Sequence, residues 1–226
     1  MFSVVIPVYP PHFGLLDRII NNILSSDECD SLVQEIIIAC SEVSDKSIMS
    51  NFISRMDRVK ILNDPNKGNA AYNRNRGWSI ASGKYVCFMD ADDLFHLQRF
   101  SLLRDVIDKL EPKAIVHDYY RHSIMDWKQI NELNIVHSDF IYDKTFPEGK
   151  RDLSLENGDN GNCNLNVGGF DVQHGQATIL NSVYPEICYN VNMNWGEDGR
   201  ILRDILYKNK QDGVIFINEK LTLYTY

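Results

Sequence analysis

The residues most able to do chemistry lie in the stretch KYVCFMDADDLF, Lys84 to Phe95. There an apolar run from Tyr85 to Met89 stops at Asp90, Asp92 and Asp93. In a strand, side chains at i and i+2 share a face, so Asp90 and Asp92 are expected to point the same way with the small Ala91 turned behind them. Two like charges held that close repel, and one protonates unless a cation offsets the cost. Hard oxygen ligands of this kind suit Mg²⁺ or Mn²⁺, ions that usually also hold substrate phosphates. The plainer alternative is a group of solvated acids favoured by the dipole of the helix that follows from Leu97. The buried strand ahead of them favours the metal.

A second group lies in NDPNKGNAAYNRNRGWSIASG, Asn63 to Gly83, where Lys67, Arg74 and Arg76 surround a glycine-containing turn and the helix after it. A charge cluster is usually a solvated helix face. In a chain that is acidic overall, however, a phosphate-bearing ligand would join these cations to the metal at one site. The third group is NWGEDGR, Asn194 to Arg200. Glu197 and Asp198 either stabilise a helix start or supply a general base on the acceptor side. Trp195 either stacks on a sugar ring or is core. Other templates are missing: no GxGxxG opens a helix and no GxxxxGK[ST] occurs, nor do HExxH or GxSxG. The six histidines show no metal-ligand spacing; His174, next to Gly175, is retained as a further ligand candidate.

The elements that must hold these groups follow from periodicity. SVVIPVY (Ser3 to Tyr9) reads as a buried strand opening into the Pro10-Pro11 loop. FGLLDRIINNIL follows with Leu15, Leu16, Ile19, Ile20, Ile23 and Leu24 at helical spacing. VQEIIIAC and RVKIL are strands. Ala70 to Ala81 is a helix stopped by Gly83, and Tyr85 to Met89 is the strand with the acidic tip. LQRFSLLRDVIDKL is a helix facing inward through Phe100, Leu103, Ile107 and Leu110. KAIVHDYY follows, and residues 121–166 form an irregular excursion. GEDGRILRDILYKN is a helix with Ile201, Leu202, Ile205 and Leu206 on one side, and GVIFI and KLTLYTY close the chain as two strands. Alternating strands and helices imply a mostly parallel sheet covered on both faces, whose ligands bind beyond the carboxyl ends of the strands. The Pro7-Val8-Tyr9 loop and the acidic tip both fall on that rim.

With 226 residues the chain is sized for one large α/β domain or a domain with a small appendage, and an apolar fraction of 44% with 24% charged residues is that of a soluble globular protein. No apolar run nears the roughly 20 residues that span a bilayer. FSVVIPVY lacks the basic region of a signal peptide, so a cytoplasmic or peripherally associated protein is expected. A net charge of −8 and a pI near 5.2 fit neither a nucleic-acid footprint nor a polybasic membrane patch. The five cysteines are an odd number without CxxC spacing. Cys40 and Cys87 read as small buried hydrophobes, and a reducing compartment follows.

Taken in order, these groups resemble the family 2 glycosyltransferases of the GT-A fold. VVIPVY resembles the family's opening strand, whose loop holds the nucleotide base. NKGNAAYNRNRGWSIASGKYVCFMDADD is similar nearly position by position to its long central signature. GED followed by ILRDIL resembles its late acidic motif and the helix after it, and INEKLTLYTY its closing strands. The middle third matches poorly. Where the family carries acids after its second strand, this chain has Cys40 and Ser41, and Asn73 replaces the usual alanine before Arg74-Asn75. Base contacts would then have to be rebuilt, through Glu42 or Asp45.

The resemblance implies a single GT-A domain, with a nucleotide-sugar-binding half over about residues 1–118 and an acceptor-binding half over about 119–226. It implies donor contacts from Pro7, Val8, Tyr9, Lys67, Asn69, Arg74, Asp90, Ala91 and Asp92, with Mn²⁺ or Mg²⁺ on Asp92 and Asp90. The implied reaction is inverting transfer of a sugar from a nucleotide diphosphate sugar, UDP-linked by preference, to an acceptor hydroxyl such as that of a growing glycan. Asp198 is then the base, with Glu197 as the alternative, and Trp195 lies on the acceptor side. Two other readings stay open. One is a module that binds a nucleotide sugar without transferring it, which would need no base. The other is a nucleotidyltransferase, which would carry a glycine-rich basic loop where PVYPPHFG stands.

Overall fold

The computed structural model describes residues 1–43, 57–121, 142–143, 166–167, 170–171, 177–193, 196–208 and 213–224. Strands β1 (Phe2–Val8), β2 (Val33–Cys40), β3 (Val59–Leu62) and β4 (Tyr85–Phe88) are followed by the short β5 (Leu94–Phe95) and by β6 (Ala114–Arg121). The two-residue strands β7 (Tyr142–Asp143), β8 (Asn166–Val167) and β9 (Phe170–Asp171) precede β10 (Thr178–Leu180) and β11 (Val214–Tyr224). Helices α1 (Leu16–Leu24), α2 (Cys29–Leu32), α3 (Ala70–Ser79), α4 (Arg99–Leu110) and α5 (Glu197–Lys208) alternate with them.

The main sheet runs β3-β2-β1-β4-β10-β6-β11-β5, with β7 also on β11, while β8 and β9 pair separately. The long strands run parallel. β10 is inserted antiparallel between β4 and β6, and β5 and β7 lie antiparallel on β11. The mostly parallel α/β domain expected from the sequence is therefore the fold observed.

Alternation along each strand sends its side chains to two cores. Phe2, Val4, Ile6, Ile36, Ile38, Tyr85 and Cys87 pack against Leu16, Ile19, Ile20 and Ile23 of α1 and Phe100, Leu103 and Ile107 of α4. Val5, Ile37, Val86 and Phe88 pack on the opposite face against Ala71 and Trp78 of α3 and Ile201, Leu202 and Ile205 of α5. Each fully buried Ile or Leu contributes about 1.5–3 kcal/mol, and every residue of β1 is buried. Gly77 lets α3 sit close on that strand, because a Cβ there would come within 2.4 Å of Val5 Cγ1.

Several boundaries differ from the sequence expectation. A 3-10 helix over Pro10–Leu15, opened by the two prolines at its first positions, delays α1 to Leu16. α3 ends at Ser79, not at Ala81. Gly83 serves close approach instead of capping: its N–H donates to Ser3 Oγ at 2.8 Å, and a Cβ would lie 2.5 Å from the Ser3 nitrogen. The expected pair of closing strands is one strand, β11, whose register against β6 slips between Ile217 and Lys220 and again before Thr222. The polar Asn218-Glu219 step, which reads as a turn, is absorbed as a bulge. Leu110 is only partly buried, at the edge of the first core.

At the opposite, amino end of the strands a carboxylate is buried on purpose. Glu35 of β2, 4% exposed, accepts from Ser3 Oγ at 2.6 Å and from the N–H and hydroxyl of Ser82 at 2.7 and 2.8 Å, and pairs with Lys60 at 2.5 Å. Burial alone would raise its pKa, but Lys60, Ser3 and Ser82 outweigh it and hold the carboxyl at about 2. A depressed carboxyl stabilises the fold above its ordinary pKa and loses that contribution as the pH falls towards 2. Glu35→Gln is expected to cost at most about 3 kcal/mol at pH 7, less where the half-exposed Lys60 is screened. Urea unfolding at pH 7 and pH 3 checks this: the variant's deficit should shrink at the lower pH, and a deficit independent of pH would contradict it.

Candidate active site

β4 pairs with β1 only as far as Val5↔Phe88, after which β1 continues alongside β2 to Val8. Released from its neighbour, the chain turns. The Met89 N–H still reaches Val5 O at 3.0 Å, and the Asp93 N–H closes back on Asp90 O at 3.2 Å. The acids therefore occupy a turn beyond the strand, not the strand itself, and the i, i+2 rule does not set their direction. Burial first, and then the charge of Asp90, pushes the Asp92 carboxyl up, against a hydrogen bond from its own backbone N–H and the opposing pull of His12 and Arg18. Ala91 is buried behind them.

α1 holds this turn in place. The Arg18 guanidinium donates to the Asp92 carbonyl, and the Asn22 side chain exchanges bonds of 2.9 and 2.7 Å with the Phe95 backbone. Both residues stand among the apolar positions of α1. A polar residue repeated four positions on was a signal that sequence reading passed over.

Arg74, on α3, is buried, and its guanidinium donates to Asp90 at 2.6 Å and to Glu197 at 3.3 Å. Burial opposes its charge, but Asp90, Tyr189 and Glu197 outweigh that effect and keep it firmly protonated. It also lies 5.5 Å from the centre of the Tyr189 ring. Tyr189 is packed edge-on against Phe88 and Trp78. Its phenol is pushed far above the usual range, by burial first and then by Asp198, Asp90 and Glu197, with Arg74 opposing. Acids from the β4 turn and from the start of α5 thus converge around one arginine and one phenol. No motif marks Tyr189 in the sequence.

The segment leading to α5 is tied to α3 as well. Asn69 caps that helix, its Oδ1 accepting the Tyr72 N–H at 2.9 Å, while its Nδ2 donates to the carbonyls of Val191 at 2.8 Å and Met193 at 3.2 Å. Asn75 exchanges bonds of 2.8 and 2.9 Å with the Tyr189 backbone. Glu197 is 5% exposed, whereas Asp198 is half-buried and accepts the Gly199 N–H at 2.7 Å.

A second cluster lies at the end of β2. Ser41 Oγ donates to Gly68 O and accepts from Asn73 Nδ2, each at 3.1 Å. Two of the three residues that depart from the resembled signature, Ser41 and Asn73, are therefore bonded to each other. Arg76 extends the network to Asn73 Oδ1, Cys40 O and Asn63 O. Glu42, in the left-handed region at φ 61, and Lys67 are exposed beside it. Pro7 and Val8 are buried, whereas Tyr9 is 47% exposed and its ring lies tilted at 45° against that of His12, with centroids 4.3 Å apart. Asp45, Trp195 and His174 lie outside the described residues.

Comparison with known proteins decides the family. The description "Glycosyl transferase family 2" matches residues 3–169. The chain belongs to glycosyl transferase family 2. It is 24% identical over 226 residues to the glycosyltransferase GlyG of Streptococcus pneumoniae, covering 99% of this chain and 70% of that protein. It is 36% identical over 123 residues to a Campylobacter jejuni GalNAc(5)-diNAcBac-PP-undecaprenol beta-1,3-glucosyltransferase, 53% of this chain and 36% of that one. With the amylovoran biosynthesis glycosyltransferase AmsB of Erwinia amylovora it shares 31% identity over 114 residues, again 36% of the relative. The fold superposes on the crystal structure of S. aureus TarS in complex with UDP-GlcNAc, with a TM-score of 0.69 at 14% identity. The chain is wholly covered and spans 58% of that structure. Among the described residues no helix is long and apolar enough to cross a membrane.

Proposed function

We propose that this family 2 chain transfers a sugar, with inversion, from a nucleotide diphosphate sugar to an acceptor hydroxyl. The observation that carries the reading is the convergence of Asp90 with Glu197 on Arg74, with Asp92 and Asp198 close beside them. A UDP-linked donor is favoured because the structural neighbour TarS has been crystallised with UDP and with UDP-GlcNAc.

Among the described residues no three His, Cys, Asp or Glu side chains form a metal site by themselves. The Asp90–Asp92 pair nonetheless fits a divalent ion, because one tight turn beyond β4, closed by the Asp93 N–H on Asp90 O and held by Arg18, carries two carboxylates of the hard oxygen type such ions take. Two carboxylates plus substrate phosphates suffice for Mg²⁺ or Mn²⁺. Asp92 and Asp90 would hold the ion, which when bound offsets the charge growing on the departing diphosphate.

The chain's own groups do the rest. The bond from the anomeric carbon to the phosphate oxygen breaks, its electron pair leaving with the nucleoside diphosphate. The acceptor oxygen bonds to that carbon from the opposite face, and its proton passes to the carboxylate of Asp198. Asp198 is preferred over Glu197 because Glu197 is buried and already paired with Arg74. Exposed Tyr9, at the end of β1, offers a face for the base.

Calorimetric titration of UDP tests the donor side. Binding is expected in Mn²⁺ and its loss in excess EDTA; affinity unchanged by the chelator would refute the role given to Asp90 and Asp92.

A further inference from the structure

We propose that Arg74 is a positioning residue that sets the Asp90–Asp92 turn against the first turn of α5, and is not itself a contact to the donor phosphates. The inference rests on the donor-site reading above and departs from the expectation that Arg74 faces the diphosphate.

Three observations carry it. The Arg74 side chain is only 2% exposed, so its charge is closed off from a ligand arriving at the rim. Both terminal nitrogens are already engaged, Nη2 with Asp90 and Nη1 with Glu197. These acids stand 16 and 123 residues away along the chain, so one planar guanidinium joins two segments far apart in the sequence. The same helix also fixes the stretch ahead of α5, through Asn75 on the Tyr189 backbone and Asn69 on the carbonyls of Val191 and Met193. α3 acts as the spacer between the donor-side and acceptor-side acids, and Arg74 is its contact with both.

The two roles predict opposite behaviour. A phosphate contact, once removed, weakens nucleotide binding. A positioning residue, once removed, leaves Asp90 available to the cation and loosens α5. Arg74→Met and Arg74→Lys would be compared with the parent by calorimetry of UDP in Mn²⁺ and by amide hydrogen exchange. The expected result for Arg74→Met is UDP affinity unchanged within about threefold or tighter, with exchange over residues 197–201 faster by about tenfold or more. A loss of affinity of about tenfold or more, whatever the exchange, would overturn the proposal.

Breaking a buried ion pair can unfold a protein, so Arg74→Lys carries the same test. Lysine keeps a charge for a phosphate but cannot span two carboxylates. Faster exchange at the start of α5 is expected, and parental exchange there would overturn the proposal. Failure of the parent to bind UDP would count against the donor reading alone, and the exchange measurement would still decide the bridge.

Discussion

Asp198→Asn is expected to bind UDP in Mn²⁺ as the parent does and to transfer sugar about 10²–10⁴-fold more slowly, the usual worth of a general base. The carboxylate is half-buried, and its hydrogen bond to the Gly199 N–H is one that an asparagine oxygen can keep. The substitution removes only the proton acceptor. Since Asp198 packs at the start of α5 and not in the core, thermal stability should hardly change. Measured together, nucleotide affinity and the rate of nucleoside diphosphate release separate base from binder. A parental rate would move the base to Glu197, which would then have to leave its bond with Arg74 to accept a proton.

Asp92→Asn is expected to fail differently. Nucleotide affinity in Mn²⁺ should fall by about 10²-fold or more, because removing a direct ligand should cost at least as much as removing its supporting partners, and turnover should fall with it. The fold should gain if anything. Burial and the neighbouring charge of Asp90 both disfavour the ionised Asp92 carboxyl, so neutralising it relieves a cost the structure otherwise carries. A melting temperature at or above the parent's, together with lost binding, is the expected signature. Retained binding would place the cation elsewhere.

The contrast between what could and could not be read from the sequence follows the range of the interactions. The strands β1, β2 and β4 and helices α1, α4 and α5 were legible because their apolar runs and period-3.6 patterns are local and strong. The acidic motif was legible for the same reason, as an apolar run broken by charge. Its geometry was not, because whether Asp90 stays in the strand depends on where β1 stops pairing with β4. β10 could not be read: three residues inserted antiparallel between β4 and β6 carry no period. Arg74 was visible as a cation but not as a buried one, since its partner Glu197 comes from the far end of the chain. The bond between Ser41 and Asn73 shows how two departures from a signature, each an oddity alone, make one contact once folded. The excursion over residues 121–166, where the acceptor side was expected to be set, gave no pattern, and most of it lies outside the described residues.

The most direct test of sugar transfer is a donor screen. The purified protein in Mn²⁺ would be offered a panel of nucleotide diphosphate sugars, and released nucleoside diphosphate would be measured with the parent and with Asp198→Asn. The account predicts release from at least one UDP-linked sugar, abolished by EDTA and slowed by the substitution. Tight binding of a nucleotide sugar with no release from any member of the panel would contradict it and leave a module that holds the donor without transferring it.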